Sequence, residues 1–171
     1  MANEAKSCGL VDESGKILPE KAVIHGPFTE IIPEAIDKMA IDMSMKRLNQ
    51  SYEAMRKLGL NRMVFHSGYI PFMYFKEWHA SQSIKFWTRY LEDKASDFTL
   101  YLENVLDDEP QNLIDIVKGI NDPRIKLCLD IGHGVKVMYQ CFHSLICLSF
   151  DFSVGKDSCL VLKICNGFNR Y

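Results

Sequence analysis

Four short apolar runs recur along the chain, and each ends on a side chain that can bind a metal or move a proton. They are AVIH (Ala22 to His25), MVFH (Met63 to His66), LYLE (Leu100 to Glu103) and LCLD (Leu127 to Asp130). Continuous rather than alternating apolar runs fit parallel strands covered on both faces. Segments of helical period separate them. Ile36, Met39, Ala40, Met43, Leu48, Tyr52, Met55 and Leu58 follow a stripe close to 3.6 residues, with Pro33 suited to the first turn and Gly59 to the residue past the end. Ile84, Trp87 and Leu91 share one face of a second helix. A third opens with Asp108 as N-cap, Pro110 at the first helical position and Gln111 three residues after the cap. Its buried stripe is Leu113, Ile116, Val117 and Ile120.

This order, with strand ends roughly 30 to 40 residues apart, predicts an α/β fold. The expected architecture is a partial (β/α) TIM-type barrel, with about four parallel strands, intervening helices and an atypical C-terminal tail. Right-handed crossovers set such strands side by side, so that their C-terminal ends share the rim that carries chemistry in these barrels. His25, His66, Glu103 and Asp130 are therefore expected to converge.

Either histidine alone reads as a satisfied core or capping residue. A carboxylate directly behind LYL is harder to place, because an unpaired buried charge is costly. Glu103, and Asp130 by the same reasoning, needs a metal, a cation or a shifted pKa. Four strands that all end in ligand types point to one shared site. His133, three residues after Asp130, either joins it, caps the next helix or faces solvent. The mixed donor set suits zinc, manganese or another borderline divalent ion, with open positions of the catalytic kind. His79 and His143 read as structural, and Trp78, Trp87, Phe72 and Tyr74 as helix packing or rim wall. Gly68 is expected to let backbone approach a ligand.

Composition narrows the classes. The chain has 171 residues, 47% of them hydrophobic and 25% charged, with a net charge of −2. That balance offers no basic face for nucleic acid. No tract is long and apolar enough to span a membrane, and Met1 to Lys16 lacks the apolar centre of a signal peptide, so the expected location is cytoplasmic. The six cysteines form no C-x-x-C pair, which argues against a zinc knuckle. Cys141, Cys147, Cys159 and Cys165 cluster late, in a stretch poor in charge. The expected division is an N-terminal segment over 1–20, a partial barrel over 21–133 and a divergent tail over 134–171. In that tail, SLICLSFDF and SCLVLKI fit a hairpin across SVGKDS, and the tail either pairs with the open sheet edge or is a non-native extension. An open parallel sheet would also favour self-association through its edge.

VIHGPF, MVFHSGY, LYLENV and LCLDIGH resemble, in order, the third to sixth strand-end motifs of the xylose isomerase-like TIM barrel superfamily. That superfamily includes sugar phosphate isomerases and epimerases and the endonuclease IV type of apurinic-site nucleases. The resemblance spans roughly residues 20 to 133. In the epimerase branch it implies metal binding by Glu103 and Asp130, proton transfer by Glu103, and His133 near the substrate. In the endonuclease IV branch it implies five zinc ligands: His25, His66, Glu103, Asp130 and His133. Family members add a histidine from the seventh strand and a glutamate from the eighth, whereas this chain has no glutamate after Glu109.

The function implied is a metal-dependent sugar or sugar-phosphate isomerase or epimerase, using manganese or zinc, with Glu103 and His133 as catalytic residues. The alternatives are an endonuclease IV-like enzyme on abasic DNA, or a truncated, non-catalytic remnant of a barrel that a full chain would build from about 250 residues.

Overall fold

The structure, a computed structural model, describes residues 22–130. The 1–20 segment, His133, His143 and the 134–171 tail lie outside the described residues. Seven elements alternate: β1 (Ile24–His25), α1 (Lys38–Lys57), β2 (Arg62–His66), α2 (Lys76–Leu91), β3 (Thr99–Glu103), α3 (Pro110–Ile120) and β4 (Ile125–Cys128). The strands form one parallel sheet in the order β1-β2-β3-β4. The expected partial barrel architecture is therefore present. Its last strand is shorter than LCLD suggests, and Asp130 lies two residues beyond it.

Alternation along each strand separates two chemistries. Met63, Phe65, Leu100, Leu102 and Ile125 point to the helices and join Leu48, Met55, Trp87, Tyr90, Leu113 and Ile116 in one core. Phe65 packs against Trp87 and Tyr90 with ring centroids 5.7 and 6.0 Å apart. The opposite face carries a small apolar patch of Val64, Tyr101 and Cys128. By the same alternation this inner face takes His25, His66 and Glu103.

The helices obey their local signals with two corrections. Helix α1 starts at Lys38, five residues after Pro33, because the Asp37 carboxylate accepts a hydrogen bond from the Met39 N–H at 2.7 Å. Its core face is Ile41, Ser44, Met45, Leu48, Tyr52 and Met55. Ile36, Met39 and Met43, expected on that stripe, are exposed. At about 100° per residue Met39 and Met43 lie on the far side of the helix from Ile41 and Met45. Two opposed apolar stripes had read as one.

Helix α3 does begin at Pro110, but its N-cap is Glu109, in extended conformation and without a side-chain capping bond. Asp108 and Glu109 instead both accept from Lys76 Nζ, at 2.9 and 2.7 Å, which ties α3 to the start of α2. Farther along, Gly119 faces Ile84 so closely that any Cβ there would collide with it. That contact fixes the spacing of α2 and α3.

Candidate metal centre

The ladder explains which side chains meet. It pairs His25 with Val64, Val64 with Tyr101, and His66 with Glu103. In a barrel, tilt and shear raise a horizontal level by about one residue per strand. Two strands on from β1, the level of His25 is therefore reached not at Tyr101 but at Glu103. By the same step, the level of His66 on β2 is reached on β4 not at Cys128, the partner of Glu103, but at Asp130. Alternate strands supply each layer, as barrel interiors require: His25 with Glu103, and His66 with Asp130.

Distances agree with the first of these layers. His25 Nε2 lies 3.0 Å from Glu103 Oε2, and His66 Nε2 lies 3.9 Å from the same oxygen. One ligand atom from each of His25, His66 and Glu103 lies within 4.8 Å of the others. The 3.0 and 3.9 Å separations bracket the roughly 3.3–3.6 Å between ligand atoms of tetrahedral zinc with bonds of about 2.0–2.2 Å, so small side-chain shifts would seat a divalent ion. The carboxylate is deeply buried, at 2% exposure, while the imidazoles keep 26% and 17%. The site is closed below and open above.

His25 supplies a second test of fit. Its Nδ1 lies 2.8 Å from the Gly26 carbonyl, which can only accept, so the proton sits on Nδ1. Nε2 then faces Glu103 in one of two states. Either it is an imidazolium donating to the carboxylate, or it is a neutral ring whose lone pair shares a cation with it. The second is the usual arrangement of a metal-bound histidine, with its other nitrogen anchored to a carbonyl. Gly26 makes this geometry available: a Cβ there would strike the ring of Phe65, and its N–H donates to the Val64 carbonyl at 2.8 Å.

Two further devices hold the rim. Ser67 N–H donates to the Glu103 carbonyl at 2.9 Å, and Ser67 Oγ donates to Asp107 Oδ2 at 2.7 Å. Burial raises the Asp107 pKa, and the hydrogen bonds from Ser67 and Val105 only partly offset that rise. Gly68, at φ +80°, admits the β1–α1 loop rather than a ligand: a Cβ there would lie 2.5 Å from Pro33 and 2.7 Å from the Ile31 carbonyl. Phe28 forms a wall, its ring centroid 6.3 Å from His25 and 6.2 Å from His66.

Of the five sequence candidates, the structure brings three together. Asp130 is buried on the adjacent strand end, but its carboxylate is not among the ligand atoms that close to 4.8 Å. His133 lies outside the described residues. His79, read from the sequence as structural, stands in the first turn of α2, fully buried and stacked on Tyr69 at 5.1 Å. Trp87 packs in the core, whereas Phe72 is fully exposed. Sequence reasoning passed over Phe28 and Asn104. The only signal for Asn104 was its place directly after Glu103.

Comparison with known proteins supplies an independent line. A family described as "Xylose isomerase-like TIM barrel" matches residues 11–165. An uncharacterized protein of Methanocaldococcus jannaschii, MJ1311, is 27% identical over 121 residues, which cover 66% of this chain and 41% of that protein. A D-tagatose 3-epimerase-like protein superposes with a TM-score of 0.56 at 23% identity, over 66% of this chain and 45% of its own. The TTHB071 protein from Thermus thermophilus, in crystals soaked with ZnCl2, gives 0.54 at 23% identity, over 65% and 46%. The chain thus spans less than half the length of these relatives. At such identities the two structures attest the fold.

Proposed function

Since the chain belongs to the xylose isomerase-like TIM barrel family, we propose that it acts as a metal-dependent isomerase or epimerase on a small sugar or sugar phosphate. The observation that carries this reading is the cluster of His25, His66 and Glu103 at the strand ends. These three residues would hold a manganese or zinc ion, and Asp130 and His133, matched through the family motif, would stand near it. A bound ion of this class supplies Lewis-acid polarisation of a carbonyl or enediolate oxygen.

The protein's own groups do the rest. Glu103 Oε1 or Oε2 takes the proton from the carbon beside the carbonyl and returns it to the neighbouring carbonyl carbon, while the hydroxyl proton passes between the two substrate oxygens, which gives the isomer. Inversion at the first carbon instead requires an acid on its opposite face. His25, locked by Gly26, keeps the carboxylate in place. Phe28 limits the water that reaches the intermediate. His133 donates to a substrate oxygen. The epimerase-like name of one fold neighbour agrees with a keto sugar as substrate.

Incubation of the full chain with Mn2+ and a panel of ketoses and ketose phosphates in D2O tests the reading. Deuterium should enter beside the carbonyl, and EDTA or Glu103→Gln should stop it. Metal bound with neither exchange nor a new sugar product from any ketose would refute the reaction class. A second reading, an endonuclease IV-like nuclease, draws on the two histidines in the cluster. Chelator-sensitive incision of an abasic duplex by the same preparation would establish it instead.

A further inference from the structure

Asp130 poses a mechanical problem. The β3–β4 ladder ends at the pair Glu103 and Cys128, followed by one long bond from Asn104 N–H to the Cys128 carbonyl at 3.4 Å. Beyond it β3 turns away, and the Val105 N–H donates to Asp107 Oδ2 at 3.2 Å rather than across to β4. Yet Asp130 is 4% exposed and held at the rim. Its own N–H donates to Asn104 Oδ1 at 2.7 Å, and its own carbonyl accepts from Asn104 Nδ2 at 3.1 Å.

We infer that Asn104 is a positioning residue: its side-chain amide stands in for the missing strand peptide, extends the ladder to Asp130 and so holds Asp130 at the rim beside the metal centre. An amide offers one donor and one acceptor side by side, which is what a strand backbone offers its neighbour. Both contacts are buried, so neither is readily replaced by water. No other uncharged side chain of this length carries both functions. Aspartate at this position keeps the acceptor but sets an oxygen against the Asp130 carbonyl. Leucine keeps the size and loses both bonds.

This inference rests on the reading of the rim as a metal site, and the experiment separates the two. Co2+ binding to the full chain is measured by titration calorimetry and by its visible spectrum, for wild type, Asn104→Leu, Asn104→Asp, Asp130→Ala and the Asn104→Leu/Asp130→Ala and Asn104→Asp/Asp130→Ala pairs. Residues that orient ligands typically alter metal affinity by about 10- to 100-fold. Asn104→Leu and Asn104→Asp should weaken cobalt binding by that factor and change the spectrum. Asn104→Leu should add less than about twofold once Asp130 is already alanine, because an effect transmitted through Asp130 vanishes with it.

An equal loss in both backgrounds, or no loss in either, would overturn the positioning role while leaving the metal site standing. Failure of the wild type itself to bind cobalt would overturn both. Thermal melts in EDTA identify any variant whose fold is lost. For such a variant, Asn104→Asp carries the comparison, since it preserves the shape and one of the two bonds.

Discussion

Two regions of this molecule bury the same residue types to opposite effect. At the strand ends, Glu103 is as deeply buried as a core residue, yet two imidazoles face it. Where the β1–α1 loop meets the start of α2, Glu34 and His79 are fully buried, and neither the Glu34 carboxylate oxygens nor the His79 ring nitrogens have a hydrogen-bond partner. Burial raises the Glu34 pKa to about 7 and lowers that of His79 to about 4, so each leans to its neutral form. The lesson is that burial alone does not make a ligand. A carboxylate can serve as one when side chains of other strands close around it, as His25 and His66 do around Glu103. Without them its cheapest answer is to stay protonated.

The contrast breaks most visibly at Glu103. Glu103→Ala should reduce Mn2+ or Zn2+ affinity by about 100-fold or more, since a ligand is worth at least what its supports are. His79→Phe should leave that affinity within about twofold. Calorimetric titration of both variants checks the pair. If His79→Phe weakens binding as much as Glu103→Ala, the two regions are not distinct.

Gly26→Ala should act on both regions at once. Its Cβ would strike Phe65 on the core side and shift the His25 anchor on the other. A cost of about 1–3 kcal/mol in urea unfolding is expected from the overpacking. Metal binding should weaken by about 10-fold from the misplaced imidazole. Unchanged metal affinity in a destabilised variant would show that Gly26 serves the core alone.

The pH dependence of stability sharpens the half that holds Glu34 and His79. His79 stays neutral in the fold down to about pH 4, while its ordinary value is 6.5, so its contribution grows as pH rises from about 4 to 6.5. Glu34 stays protonated up to about pH 7 against an ordinary 4.5, so its contribution is complete below 4.5 and lost as pH rises through about 7. The two slopes oppose each other over nearly the same window. In EDTA the wild type should therefore change little between pH 4.5 and 6.5. Glu34→Gln should gain stability with rising pH and His79→Phe should lose it, each by about 2 kcal/mol over the window. Parallel slopes for the two variants in urea unfolding would contradict these environments.

The smallest effect is expected at the Lys76 bridge. Its ammonium pKa is raised by hydrogen bonds to Asp108 and Glu109. These partners are more than half exposed, so Lys76→Met should cost only about 0.2–1 kcal/mol. A loss above about 2 kcal/mol would mean that the α2–α3 junction supports the rim more than its solvent exposure suggests.

The strands and the first ring of the site were legible because buried parallel strands write continuous apolar runs, and a ligand type closing such a run is visible without coordinates. The faces of α1 were not. Met39 and Met43 are as apolar as Met45 and Met55, and only the sheet decides which side of a helix it covers. The cap of α3 was misread by one residue, because Asp108 had a better partner in Lys76 than in its own helix. Asn104 stood within a quoted motif and went unremarked, since an amide declares its purpose only once the backbone it replaces is seen to turn away.

What the sequence alone determined is the alternation of strand and helix and the presence of His25, His66, Glu103 and Asp130 at successive strand ends. Hydrophobic periodicity and residue type are local properties, and they survive without a fold. What only the tertiary structure decided is which of these groups share a level. Strand tilt brings His25 to Glu103 across two strands, and Asn104 holds Asp130 beyond the end of its ladder. Both depend on the stagger between chains of atoms far apart in sequence, and no single stretch of residues encodes that stagger.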